Sequence, residues 1–172
     1  MIKTIPAITV LQPWASLIAY GTKRFETRSW ETSYRGLLAV HAGKKPAGKT
    51  IDEMFPRIEG VSSAEMVFVG AVNDYAGFLE DLPLGAVVAV AELEGCYKIT
   101  EERGRVHIYI GGKEPPGSAA PDFYHPTGNE LLFGDWTPGR YAWRLENLQM
   151  LPEPIPARGA QGLWKWTGDI NC

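Results

Sequence analysis

The sequence has only two cysteines in 172 residues, Cys96 in a strand-like stretch and Cys172 at the terminus, so it offers no disulfide framework. Such cysteine use suits a reducing compartment, and the cytoplasm is the expected location. No apolar run approaches the roughly 18 residues needed to cross a bilayer. The opening MIKTIPAITV also lacks the long apolar core of a secretory leader, so no membrane association is expected. His41, His107 and His125 stand apart, with no H-x-x-x-H, C-x-x-C or paired-carboxylate pattern near them. Neither a metal nor a cofactor is therefore expected. A G-x-S-x-G elbow and a phosphate-binding glycine loop are missing, and neither Ser16 nor Ser29 has a histidine beside it. No repeat or linker interrupts the chain, which predicts one domain over residues 1–172.

Against these absences, the segment GTKRFETRSW at residues 21–30 stands out, because it packs Lys23, Glu26 and Arg28 into six positions. A short helix is expected before it. Pro13 suits a first helical position, Trp14, Leu17 and Ile18 form one apolar stripe, and Gly21 marks the end with a positive φ. Residues 23–30 then run extended, which puts Glu26, Arg28 and Trp30 on one face and turns Phe25 and Thr27 toward the core. Lys23 falls at the turn, where a flexible amine can swing over the polar face. Lys23 offers a point charge to a phosphate or oxyanion, and Arg28 a fork for bidentate contact. Glu26 can accept from an exocyclic amine, act as a general base, or only hold the two cations. Trp14 and Trp30 flank the group, and Trp30 is the candidate for stacking a base. A plain salt-bridge cluster is the structural alternative.

Charge is distributed unevenly. Residues 1–50 hold eight Lys or Arg and two acids, and the remainder holds nine and eighteen. A basic surface carrying Lys44, Lys45 and Lys49 beside the motif would face phosphates. The rest of the chain reads as scaffold. Strands are expected over 8–11, 36–42, 86–99 with a bulge at Gly95, 106–110, 140–146 and 163–166. Thr50 with Glu53 has the spacing of a capping box, but Pro56 should break or kink any helix there. A second box at Ser62 with Glu65 starts the better helix, which carries Ala71 and Val72 on its apolar face. Residues 111–121 read as a long mobile loop and 43–50 as a basic loop. His41, ending a buried strand, reads as a structural histidine. Many short strands with two or three helices argue for an α+β fold, a small mixed β-barrel with helices packed on it.

The run QPWASLIAYGTKRFETRSWETSYRGLLAVHAGKK resembles the ASCH family of the PUA-like superfamily. The resemblance is carried by G-x-K-x-x-E-x-R at Gly21, Lys23, Glu26 and Arg28, by Gln12, Pro13 and Trp14, and by RGLLAVHA at residues 35–42. The tail at residues 139–166 is also similar to the family's last strands. The resemblance implies a PUA-like pseudobarrel, with a cleft where the helix and motif strand meet. It also implies an RNA or nucleotide-like partner, bound by Trp14, Lys23, Glu26, Arg28, Trp30, Lys44 and Lys45. The alternative it implies is a small hydrolase acting on a modified nucleoside or RNA. In the family's amidohydrolase group a threonine nucleophile stands where this chain has Glu26, so Lys23 is the catalytic residue that carries over. If chemistry follows binding, Lys23 and Glu26 are the candidates. Nothing in the sequence identifies a protein partner.

Overall fold

The structure, a computed structural model, describes residues 2–54, 70–72, 78–110 and 123–170. The fold is α+β, dominated by one mixed sheet curled into a PUA-like pseudobarrel. Its strands are β1 (Ile2–Val10), β2 (Phe25–Arg28), β3 (Gly36–Ala42), β4 (Ala86–Glu102), β5 (Arg105–Tyr109), β6 (Phe123–Tyr124), β7 (Tyr141–Pro156) and β8 (Leu163–Asp169). They run in the order β2-β7-β4-β3-β1-β8, with β5 and β6 continuing from β4. β1 and β3 pair in parallel, and the other ladders are antiparallel.

The curl does not close. β2 and β8 end the strand path, as in a pseudobarrel rather than a closed barrel. At that seam β1 loses its β8 partner after Ile8 while staying paired with β3 as far as Val10.

Helix α1 (Trp14–Ala19) follows Pro13, which sits just before the first turn rather than in it, and every residue of the helix is buried. Leu17 and Ile18 have no exposure, and burying each side chain contributes about 1.5–3 kcal/mol. The helix ends as expected, with Gly21 at φ 77°. The amides of Gly21, Thr22 and Lys23 fold back onto the carbonyls of Ile18 and Leu17. Only glycine enters this left-handed region without a steric penalty.

Helix α2 (Ala47–Met54) replaces half of the expected basic loop. Thr50 lies inside it and donates its hydroxyl to Pro46 O, so the Thr50–Glu53 capping box does not form. Helix α3 (Gly128–Leu132) was not anticipated. Of the helix expected from Ser62, only residues 70–72 are described; they are helical, and Val72 is buried. The mobile loop expected at 111–121 and Cys172 lie outside the described residues.

β4 runs three residues further than expected, and its pairing with β7 shifts register between Leu93 and Gly95, where a bulge was expected. β7 continues through Pro152, Pro154 and Pro156, where an irregular path was expected. β2 covers β7 only over Tyr141 to Arg144, so the later prolines lie on an uncovered edge, where a missing N–H costs no ladder bond.

Candidate functional site

β2 is short and two-sided. Phe25 lies in a cluster with Ile99, Ile108, Trp136 and Ala142, and buried Thr27 accepts the amide proton of Asp135. Glu26 and Arg28 pair across to Trp143 and Tyr141 on the opposite face. The alternation is the one the sequence predicts. It brings the motif's charges to the open seam.

Lys23 is a correction. It is only 1% exposed, not a mobile amine at a turn. Its Nζ donates to Phe25 O at 2.5 Å and Phe133 O at 2.7 Å, and lies 3.6 Å from Glu26 Oε2. Burial pulls its pKa below the ordinary lysine value, opposed by the charges of Glu26 and Glu130. Glu130, on α3, is itself buried and accepts the amide protons of Arg24 and Phe25. The amine therefore ties the start of β2 to the segment after α3. Lys23 lines neither of the two cavities at the seam.

Arg28 lines both. Its Nη2 is ion-paired with Glu26 Oε1 at 2.9 Å and donates across the seam to Thr9 O on β1 at 2.8 Å. A guanidinium thus stands in for a missing strand neighbour. On one side of it lies a hollow of about 470 Å³ between α1, β2 and residues 131–135, whose walls include Trp14, Glu26, Leu131, Leu132, Asp135 and Arg140. Trp14 is buried, yet it contributes to this wall.

On the other side lies a larger hollow of about 670 Å³, lined by Thr9, Arg28, Trp30, His41, Lys44 and the loop 158–162. Three of its lining side chains, Arg28, Lys44 and Arg158, are cations, and among the described residues no carboxylate lines it. Trp30 is half-buried and stands edge-on to Trp143 at 4.6 Å, so it forms a fixed wall. Lys45 takes no part here; it is paired with Glu53 on α2.

The loop 158–162 was missed by sequence reasoning. It is held by Thr9, whose hydroxyl donates to Ala160 O at 3.0 Å and accepts from Trp164 Nε1 at 3.2 Å. Gly159 lies so close to His41 that a Cβ there would come within 2.4 Å of the ring. The two glycines of RGAQG were the available signal. His41 is buried as expected, and its Nε2–H donates to Ala157 O at 3.1 Å, leaving Nδ1 as a bare acceptor without a protein partner. Burial lowers its pKa below the usual 6.5, and Lys44 adds to the effect against the hydrogen bond to Ala157. Among the described residues no three His, Cys, Asp or Glu side chains converge in a way that would hold a metal ion.

A family profile described as the ASCH domain matches residues 8–117. Human activating signal cointegrator 1 is 34% identical over 90 residues, which is 52% of this chain and 14% of that protein. Mouse activating signal cointegrator 1 is 33% identical over 90 residues, with the same coverage of each chain. The match therefore spans about a seventh of those longer proteins.

Proposed function

The chain belongs to the ASCH domain family, and from that premise we propose that it binds RNA or an RNA-like nucleotide at the open seam beside the motif. The observation that supports this most directly is the larger hollow, where Arg28, Lys44 and Arg158 converge beside Trp30 with no carboxylate among the described lining residues. Three cations suit phosphate oxygens, and an indole wall suits the face of a base. Glu26 holds Arg28 from behind, and Lys23 fixes the backbone that carries them both. We place this binding in the reducing cytoplasm, where the free thiol of Cys96 persists.

A hydrolase would need Lys23 Nζ at the substrate, whereas this amine donates to two backbone carbonyls behind the cavity wall. Binding without turnover is the better reading. Fluorescence anisotropy with short single-stranded RNA across a salt series tests it. Three phosphate contacts predict a log–log slope of about −2, and Arg28→Ala should make it shallower by about 0.7. Salt-independent affinity, or no affinity, would overturn the proposal. Mass spectrometry of the recovered RNA should return it unchanged, and a modified product would favour the hydrolase.

A further inference from the structure

A second surface lies beyond the seam, where β4, β5 and β6 form a three-stranded ladder. Thr100 pairs with His107, Ile108 with Tyr124, and Tyr109 with Phe123. Strand alternation sends Ile99, Ile108 and Tyr124 into an apolar cluster with Phe25 and Trp136. The same alternation puts Lys98, Arg105, His107, Tyr109, Phe123 and His125 on the other face.

That face is aromatic and open. Tyr109 is 58% exposed and Phe123 41% exposed. The rings form a connected row: Tyr109 to Phe123 at 5.5 Å, Phe123 to His107 at 5.0 Å, and His107 to His125 at 5.7 Å. Each histidine donates Nδ1–H to a backbone carbonyl, buried His107 to Arg105 O and exposed His125 to Val106 O, which leaves Nε2 of His125 for a ligand. Arg103 and Arg105 stand beside the rings around a hollow of about 440 Å³, with Glu102 its one acidic lining residue among the described residues. Tyr109 and Phe123 are not among the residues of the apolar cluster beneath them. Exposed rings beside arginines on a sheet face match what single-stranded nucleic acid requires, since bases stack on rings and phosphates seek guanidinium groups.

The ladder also connects to the motif. Arg28 pairs with Tyr141, and Tyr141 with Lys98, so all three lie on the same face of the sheet as the platform. β2 and β5 are three strand spacings apart, about 15 Å. A strand of a few nucleotides covers that span.

We propose that the outer face of β4–β6 is a second contact surface for single-stranded RNA, stacking bases on Tyr109 and Phe123 and meeting phosphates with Arg103 and Arg105. It rests on the RNA reading of the seam and lengthens that site into a track. The test compares a three-nucleotide and a ten-nucleotide single-stranded RNA on the full chain, with Tyr109→Ala/Phe123→Ala against Arg28→Ala.

The alanine pair should weaken the longer RNA by about 10-fold for each ring removed and leave the shorter one within about 2-fold. Tyr109→Phe/Phe123→Tyr keeps both rings and should keep the affinity. A ten-nucleotide RNA carrying 5-iodouridine should photo-crosslink to the peptides containing Tyr109 or Phe123. If the alanine pair binds the longer RNA like the parent while Arg28→Ala does not, the track is overturned, the seam reading stands, and a protein partner becomes the occupant to seek. Equal weakening of both lengths would show the rings acting through the fold, which also overturns it. If the parent binds neither RNA, both readings fall.

Discussion

Lys23 and Arg28 carry the same charge five positions apart, yet the protein uses them in opposite ways. Lys23 is walled in, holding two carbonyls and facing Glu26 and Glu130. Arg28 stands at the mouth of both hollows, with its head partly in solvent. The motif is thus part bolt and part contact. Glu26 joins the halves, since its two oxygens face one cation each. One member of the charge pattern is therefore walled off from both hollows.

The hardest test of this contrast is Lys23→Met. Removing one partner of a buried charge cluster should cost about 3–5 kcal/mol of stability, because Glu26, Glu130 and two carbonyls lose their donor. Arg28→Ala should cost much less stability and far more RNA affinity. Urea unfolding set beside anisotropy separates the two. A Lys23→Met protein of normal stability that no longer binds RNA would break the contrast.

His41 sharpens it from another side, being buried like Lys23 but part of a cavity wall like Arg28. Its folded pKa is lowered from 6.5, so the unfolded chain takes up the proton first. This group leaves stability flat above that value. As pH falls below it toward the folded pKa, stability drops by at most about 1.4 kcal/mol per pH unit. His41→Gln should remove this part of the slope in unfolding curves taken from about pH 7.5 to about pH 5. An unchanged slope would mean that the ring binds its proton equally well in the folded and unfolded chain.

The smallest effect repeats the contrast on neighbouring lysines. Lys44 lines the larger hollow, whereas Lys45 is paired with Glu53. Lys44→Ala should make the salt slope shallower by about 0.7. Lys45→Ala should leave it alone and change stability little, since its pair with Glu53 is exposed. Matching slopes would put both lysines on the ligand.

What the sequence revealed was local. Pro13 and Gly21 bracket α1, and the two-residue period sorts Phe25 and Thr27 from Glu26 and Arg28, because each rule needs only neighbours. Gly95 marked its bulge for the same reason. The fate of Lys23 was hidden, since Glu130 and Phe133 meet it from more than a hundred positions away and no spacing announces that contact. Arg158 was hidden for a similar reason. Its loop reaches the site only because Thr9 and Trp164 hold it there, and Gly159 leaves room for the ring of His41. The prolines of β7 misled, because which edge of a strand lies uncovered is a property of the whole sheet.

The Arg28–Thr9 bridge also sets the number of hydrogen atoms this arginine has to offer. A guanidinium carries five N–H groups. Nη2 donates to Thr9 O and is ion-paired with Glu26 Oε1, and Nε is buried without a hydrogen-bond partner. Nη1 is left to face outward. The parallel two-nitrogen grip expected from the sequence is therefore not on offer unless the seam lets go. A lone nitrogen with two hydrogens suits the dispersed oxygens of a phosphate better than the paired acceptors on a guanine edge. On the proposed RNA, discrimination among bases would then pass from the arginine to its surroundings, with the arginine holding the backbone.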